Sequence, residues 1–193
     1  MAELPPSPSD RRAVRARSLQ QAARRLPRSV FEAQFPGGLW LVRKLERTEL
    51  VTPVFRTGGA DLSDIDTDLG EPRASLRQRL AFDPAGYVLH PLTKSSANPW
   101  REQVLIGRAL NNDVVLRFNC VSKLHAYVRL LKTDWRIFDA ESANGTWVDD
   151  RRIRPDHEKG AVIRSGAVVH FGSMRCEIIG NSELYDVLRG LEG

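Results

Sequence analysis

The sequence predicts a mainly β fold, an antiparallel sandwich with a helix at either end. Three observations carry that reading. Short apolar stretches of strand period follow one another from Tyr87 to Gly180: YVLHPLT, QVLIGR, DVVL, HAYVRLLK, WRIFDA, TWVD, AVIR, VVHFG and MRCEII. Turn signals separate them at short intervals, including Ser95-Ser96-Ala97-Asn98-Pro99, Asn111-Asn112 and Thr133-Asp134. Many short strands with such breaks are the pattern of a sandwich or barrel. Helical spacing lies outside this stretch, before Tyr87 and after Gly180.

At the N-terminus, Ser7-Pro8-Ser9-Asp10 resembles a capping box, with the proline at the first helical position. Beyond it, Leu19, Ala22, Ala23 and Leu26 recur at helical spacing until Pro27. The opposite face carries Arg11, Arg12, Arg15, Arg17, Arg24 and Arg25. This reads as a solvated basic helix resting a narrow apolar stripe on the main domain, with an acidic partner as the sharper alternative. A membrane surface belongs to the same alternative, though for the chain as a whole a membrane partner is not expected; no aromatic residue interleaves with the arginines, which disfavours nucleic acid.

Ser29 to Phe35 reads as a further helical turn, broken by Pro36-Gly37-Gly38. LWLVRKLERTELVTPVF is ambiguous: LWLV suggests a buried strand, while Leu39, Val42, Leu45 and Glu49 also fit one helix face, and the balance falls on a strand over residues 39–44 with another near 50–56. Residues 57–72, rich in glycine and acid, read as an exposed linker. Residues 73–81 suit a short helix and Asp83-Pro84-Ala85-Gly86 a turn. Asn181-Ser182 can cap a last helix that turns Tyr185, Leu188 and Leu191 inward. The expected division is an N-terminal extension over 1–86, a sandwich over 87–180 and a C-terminal helix over 181–193.

With 193 residues the chain can bury a substantial core without disulfide or metal staples. Hydrophobic content of 41% and charged content of 27% are ordinary for a globular protein, and no apolar run approaches the length of a membrane span. The start of the chain lacks the apolar core of a signal peptide, and Cys120 and Cys176 form no Cys-x-x-Cys pair. Both read as free thiols of a reducing, cytoplasmic compartment. A formal charge of +5 suits an anionic partner without naming one.

Three polar islands interrupt the strands: Gly107-Arg108, Ser122-Lys123-Leu124-His125 and Asn144-Gly145-Thr146. Each falls at a strand edge or turn, where scaffolds carry binding groups. An arginine, a hydroxyl, an imidazole and a side-chain amide at one rim would read an anion and a peptide. Arginine offers a permanently charged donor fork, and a phosphothreonine brings close to two negative charges and three acceptor oxygens. Lys123 adds a flexible positive charge beside Ser122, and Arg117 is a weaker candidate.

In their order and spacing, with the late segment GAVVHFG, these islands resemble the forkhead-associated (FHA) domain over roughly residues 87–180. The resemblance implies an eleven-stranded antiparallel β-sandwich whose loops bind a phosphothreonine peptide, without catalysis, cofactor, metal or small-molecule substrate. It implies that Arg108 contacts the phosphate or the peptide backbone beside it, that Ser122 donates to a phosphate oxygen and that Asn144 bonds the peptide main chain; Lys123, by its charge and place, is expected to reach the same phosphate. Gly107, His125, Gly145 and Thr146 would hold the loops in shape. The expected partner is a phosphothreonine-containing protein made by a Ser/Thr kinase. Ala143 departs from the pattern, because many members place a threonine or serine there. Ser142 is one position too early and would support the loop instead. This departure favours the alternative of phosphate-independent binding through a sheet face or the arginine helix.

Other readings are weaker. Ser122 and His125 lack an orienting acid beside them for nucleophilic catalysis. His90, His157 and His170 show no metal-ligand spacing. Trp135, Phe138, Trp147 and Phe171 fit strand packing better than a ligand cage. Thr67, in the acidic linker, is a candidate phosphorylation site that would give the pocket a ligand from its own chain.

Overall fold

A computed structural model describes residues 13–46, 74–96, 98–100, 102–155 and 159–190. The expected cap at Ser7, Arg11 and Arg12, the strand near 50–56, the linker with Thr67, His157 and Leu191 lie outside these residues. No helix among the described residues is long and apolar enough to cross a membrane.

Two sheets form the body. The larger has seven strands: β1 (Val14–Arg15), β2 (Leu39–Lys44), β3 (Tyr87–Pro91), β8 (Thr146–Val148), β9 (Arg151–Arg152), β11 (Val168–Phe171) and β12 (Met174–Gly180). They lie in the order β1-β3-β2-β12-β11-β8-β9. The smaller has five, β4 (Val104–Gly107), β5 (Val114–Val115), β6 (Ala126–Leu131), β7 (Asp134–Asp139) and β10 (Ala161–Ile163), in the order β10-β7-β6-β4-β5. The described residues thus hold twelve strands against the expected eleven. One pair departs from the antiparallel pattern: β4 and β5 run parallel, with Ile106 opposite Val114 and Gly107 opposite Val115. The loop between them must double back along the strand, so it stands out at the sheet end with Arg108 at its start.

The helices α1 (Ala16–Arg25), α2 (Arg28–Gln34), α3 (Leu76–Phe82) and α4 (Asn181–Arg189) gather on the outer face of the larger sheet. Their burial explains the difficulty of LWLV. Leu39 and Leu41 point between the sheets, where they meet Ile106, Leu116, Val128, Ile137, Val169 and Phe171. Trp40 and Val42 point the other way, into a second core with Leu19, Phe31, Phe35, Leu80, Leu89, Leu184 and Leu188. A strand buried on both faces is a continuous apolar run without alternation.

The sheet does not respect a boundary at residue 86. β2 is bonded to β3 on one side and to β12 on the other, with Leu41 opposite both His90 and Ile178. The extension is therefore part of the sandwich and of the helical layer covering it. Ala16, Leu19, Ala22 and Ala23 are the buried face of α1, and Arg17, Arg24 and Arg25 are exposed.

Asn181 departs from its expected cap role. Gly180 holds the cap position of α4, and Asn181 instead accepts from Trp40 Nε1 at 2.9 Å and donates to the Phe35 carbonyl at 3.1 Å. Burial of the Trp40 indole N–H creates that demand. Arg79 and Arg175 both pair with Glu177, the first tying α3 to the sheet, and Arg28 pairs with Asp186 across α2 and α4. Both cysteines are free thiols, and burial pushes the Cys176 pKa up to about 12.

Candidate functional site

The three polar islands meet at one end of the sandwich, stitched together mostly by main chain. Arg108 N–H donates to the Ser122 carbonyl at 3.0 Å and Ala109 N–H to the Lys123 carbonyl at 3.1 Å. Asn112, almost fully buried, donates to the carbonyls of Ala109 at 2.9 Å and Lys123 at 2.6 Å. A Cβ on Gly107 would lie 2.3 Å from the Lys123 carbonyl oxygen, so only glycine admits this approach.

The third island closes on the second. Ala143 N–H donates to Ser122 Oγ at 3.0 Å, and Asn144 Nδ2 donates to the Cys120 carbonyl at 2.9 Å. Gly145, at φ +82, sits in the left-handed region that favours glycine. Its carbonyl accepts from Gly172 N–H at 3.0 Å and meets His125 Nε2 at 3.0 Å.

His125 is the buried pivot of these loops. Its side chain is fully enclosed, with the ring edge-on to Phe171 at 5.4 Å between centroids. Ser122 N–H donates to Nδ1 at 3.0 Å. A carbonyl oxygen can only accept, so Nε2 must carry the proton that faces Gly145. The network selects the neutral Nε2–H tautomer. Burial lowers the pKa below its usual value, against the Gly145 carbonyl and the Asp139 charge, which act the other way. Because both nitrogens are committed to main chain, the imidazole is not aimed at Ser122 Oγ as a base would be.

Asp139 is the residue the sequence reading missed. Its buried carboxylate accepts from Ser142 N–H at 3.1 Å, Ser142 Oγ at 2.6 Å and Thr146 Oγ1 at 2.5 Å. Ser142 Oγ in turn accepts from Gly145 N–H at 2.9 Å. The turn that presents Asn144 is thus moulded around one carboxylate. An aspartate with a serine three residues on is the local signature of such a turn and was available in the sequence.

The outward-facing groups form one set. Ser122 Oγ accepts from Ala143, leaving its O–H free to donate outward. Asn144 commits one N–H to Cys120 and keeps the other and its carbonyl oxygen. Arg108 and Lys123 are exposed and flank Ser122 in sequence and through the backbone ladder. Arg117 is exposed on the loop before them. Ala143 leaves the rim without a hydroxyl beside Asn144. Among the described residues, no group of histidine, cysteine, aspartate and glutamate is gathered as a metal site would require.

Residues 104–172 match the family model of the FHA domain. The FHA domain-containing protein PS1 of Arabidopsis thaliana is 34% identical over 71 residues, which are 34% of this chain and 5% of that protein. Among solved structures, Mycobacterium tuberculosis EmbR in complex with a low affinity phosphopeptide is 28% identical. That match covers 40% of this chain and 20% of EmbR, at a TM-score of 0.36. The N-terminal FHA domain of Saccharomyces cerevisiae Rad53p, in complex with a phosphothreonine peptide, is 17% identical over 51% of this chain and 88% of that one, at a TM-score of 0.40. The chain therefore spans only a small part of PS1 and of EmbR.

Proposed function

We propose that this chain, which carries an FHA domain, uses that domain to bind phosphothreonine-containing proteins, as an adaptor or scaffold downstream of a Ser/Thr kinase in the cytoplasm. What supports the reading is that the bonds Arg108 N–H to Ser122, Ala109 N–H to Lys123 and Ala143 N–H to Ser122 Oγ draw together the three loops that carry Arg108, Ser122, Lys123 and Asn144. Ser122 offers an O–H whose oxygen is already positioned by Ala143. Arg108 and Lys123 supply charge for a phosphate, and Asn144 keeps donor and acceptor capacity for a peptide main chain.

Hydrogen bonds to charged groups contribute about 1.5–3 kcal/mol each, against about 1 for neutral ones. Truncating one partner of a hydrogen-bonded charge pair that binding buries costs about 2–5 kcal/mol. Calorimetric titration of an oriented phosphothreonine library, beside its unphosphorylated counterpart, tests the reading. Binding should require the phosphate, and Arg108→Ala should weaken it by about thirty-fold or more. Phosphate-independent binding, or full affinity in Arg108→Ala, would overturn it.

The exposed arginines of α1 favour a second reading, in which an acidic partner docks there without phosphate. Partner capture that survives phosphatase treatment, and is lost on replacing Arg17, Arg24 and Arg25 by glutamine, would support that reading over the first.

A further inference from the structure

Among the described residues the helical layer packs on β1, β2, β3 and β12, and a short row of side chains crosses the same face of the larger sheet farther along, on β11, β8 and β9. His170 lies opposite Trp147, and Trp147 opposite Arg152, so the three share one face. The hairpin that sets this row turns at Asp149-Asp150, both at positive φ (47° and 63°), the geometry of a two-residue turn matched to strand twist. The Arg152 guanidinium lies over the Trp147 ring, 5.5 Å from its centroid.

The same guanidinium reaches the edge of the site. A Cβ on Gly145 would lie 2.8 Å from Arg152 Nε and 3.1 Å from Nη2. Arg152 therefore covers the residue next to Asn144. It is exposed, and among the described residues no carboxylate pairs with it. Asp149, in the adjacent turn, spends its Oδ1 on Val168 N–H.

A guanidinium held on an indole face keeps its charge and its donor fork while losing part of its rotamer freedom before any ligand arrives. Gly145 is the immediate neighbour of Asn144, so a peptide bonded by Asn144, as the proposed function has it, would lie within reach of this guanidinium. We infer that Arg152 reads a carboxylate of the bound peptide, so that the site selects phosphothreonine segments with an aspartate or glutamate on the Asn144 side. This rests on the phosphothreonine reading above and names a selectivity within it.

The test uses the full chain and a set of phosphothreonine peptides, one with alanine at every flanking position and others with a single aspartate at each of the three positions on either side. At least one aspartate peptide should bind about five-fold more tightly than the all-alanine peptide, as expected for one partly exposed charge pair. Arg152→Gln should abolish that gain, leave the all-alanine affinity unchanged and unfold at the same temperature. Absence of any aspartate preference, or its survival in Arg152→Gln, would overturn the inference. Equal weakening of acidic and neutral peptides would overturn it too, because Arg152 would then support binding without reading a carboxylate. If even the all-alanine peptide binds without need of its phosphate, the parent reading fails as well.

Discussion

His125 holds Ser122 and Gly145 together only as the neutral Nε2–H tautomer. A proton on Nδ1 would face the Ser122 N–H that now donates to it. The unfolded imidazole titrates near about 6.5, and the folded one lower. Above the unfolded value both states are neutral, and the stabilisation is fully present. As pH falls below it, the unfolded chain takes up a proton that the folded one refuses, so stability declines until the folded pKa is reached. Urea unfolding without peptide, at pH 7.5 and 5.5, should show this decline in the wild type. A smaller decline is expected in His125→Gln, itself less stable at both values; equal declines would contradict the assignment. At the same scale, Gly107→Ala forces a Cβ against the Lys123 carbonyl and should cost about 1–3 kcal/mol, read as a lower urea midpoint at unchanged slope.

At the scale of elements, β2 decides whether the sandwich closes. It supplies Leu39 and Leu41 to the inner core and Trp40 and Val42 to the outer one, and it occupies the edges of both β3 and β12. A chain that starts at Tyr87 exposes both edges and the outer apolar face, the conditions for edge-to-edge association. It should elute as soluble aggregate, or lose its cooperative urea transition, where the full chain elutes as a discrete species. Trp40→Ala, which removes a fully buried ring and the partner of Asn181, should cost about 3–5 kcal/mol in urea unfolding.

For the molecule as a whole, two cores share one sheet. The helical layer cannot melt without exposing Trp40, Val42, Leu89 and Ile179, which belong to strands of the sandwich. Loss of helical circular dichroism and of buried-tryptophan fluorescence should therefore coincide during unfolding, as two-state behaviour requires. Separate transitions would mean that the helices form an independent unit. This shared sheet places the basic face of α1 on a fixed support, with Arg17, Arg24 and Arg25 held outward by the buried Ala16, Leu19, Ala22 and Ala23.

The sequence by itself determined the features that act locally. Strand alternation announced the sandwich, Pro27 and Pro36-Gly37-Gly38 marked helix limits, and the three islands supplied the candidate residues of the proposed site. Their chemistry is carried by residue type, so spacing along the chain exposes it. Only the tertiary structure decided what depends on contacts between distant segments. It placed β2 between β3 and β12, turned Asn181 from a cap into the partner of Trp40, and set Asp139 beneath the Asn144 turn. It also laid Arg152 over Trp147 beside Gly145. A strand buried on both faces shows no period, and a cross-strand neighbour is set by register. Such features have no signature until the chain has folded upon itself.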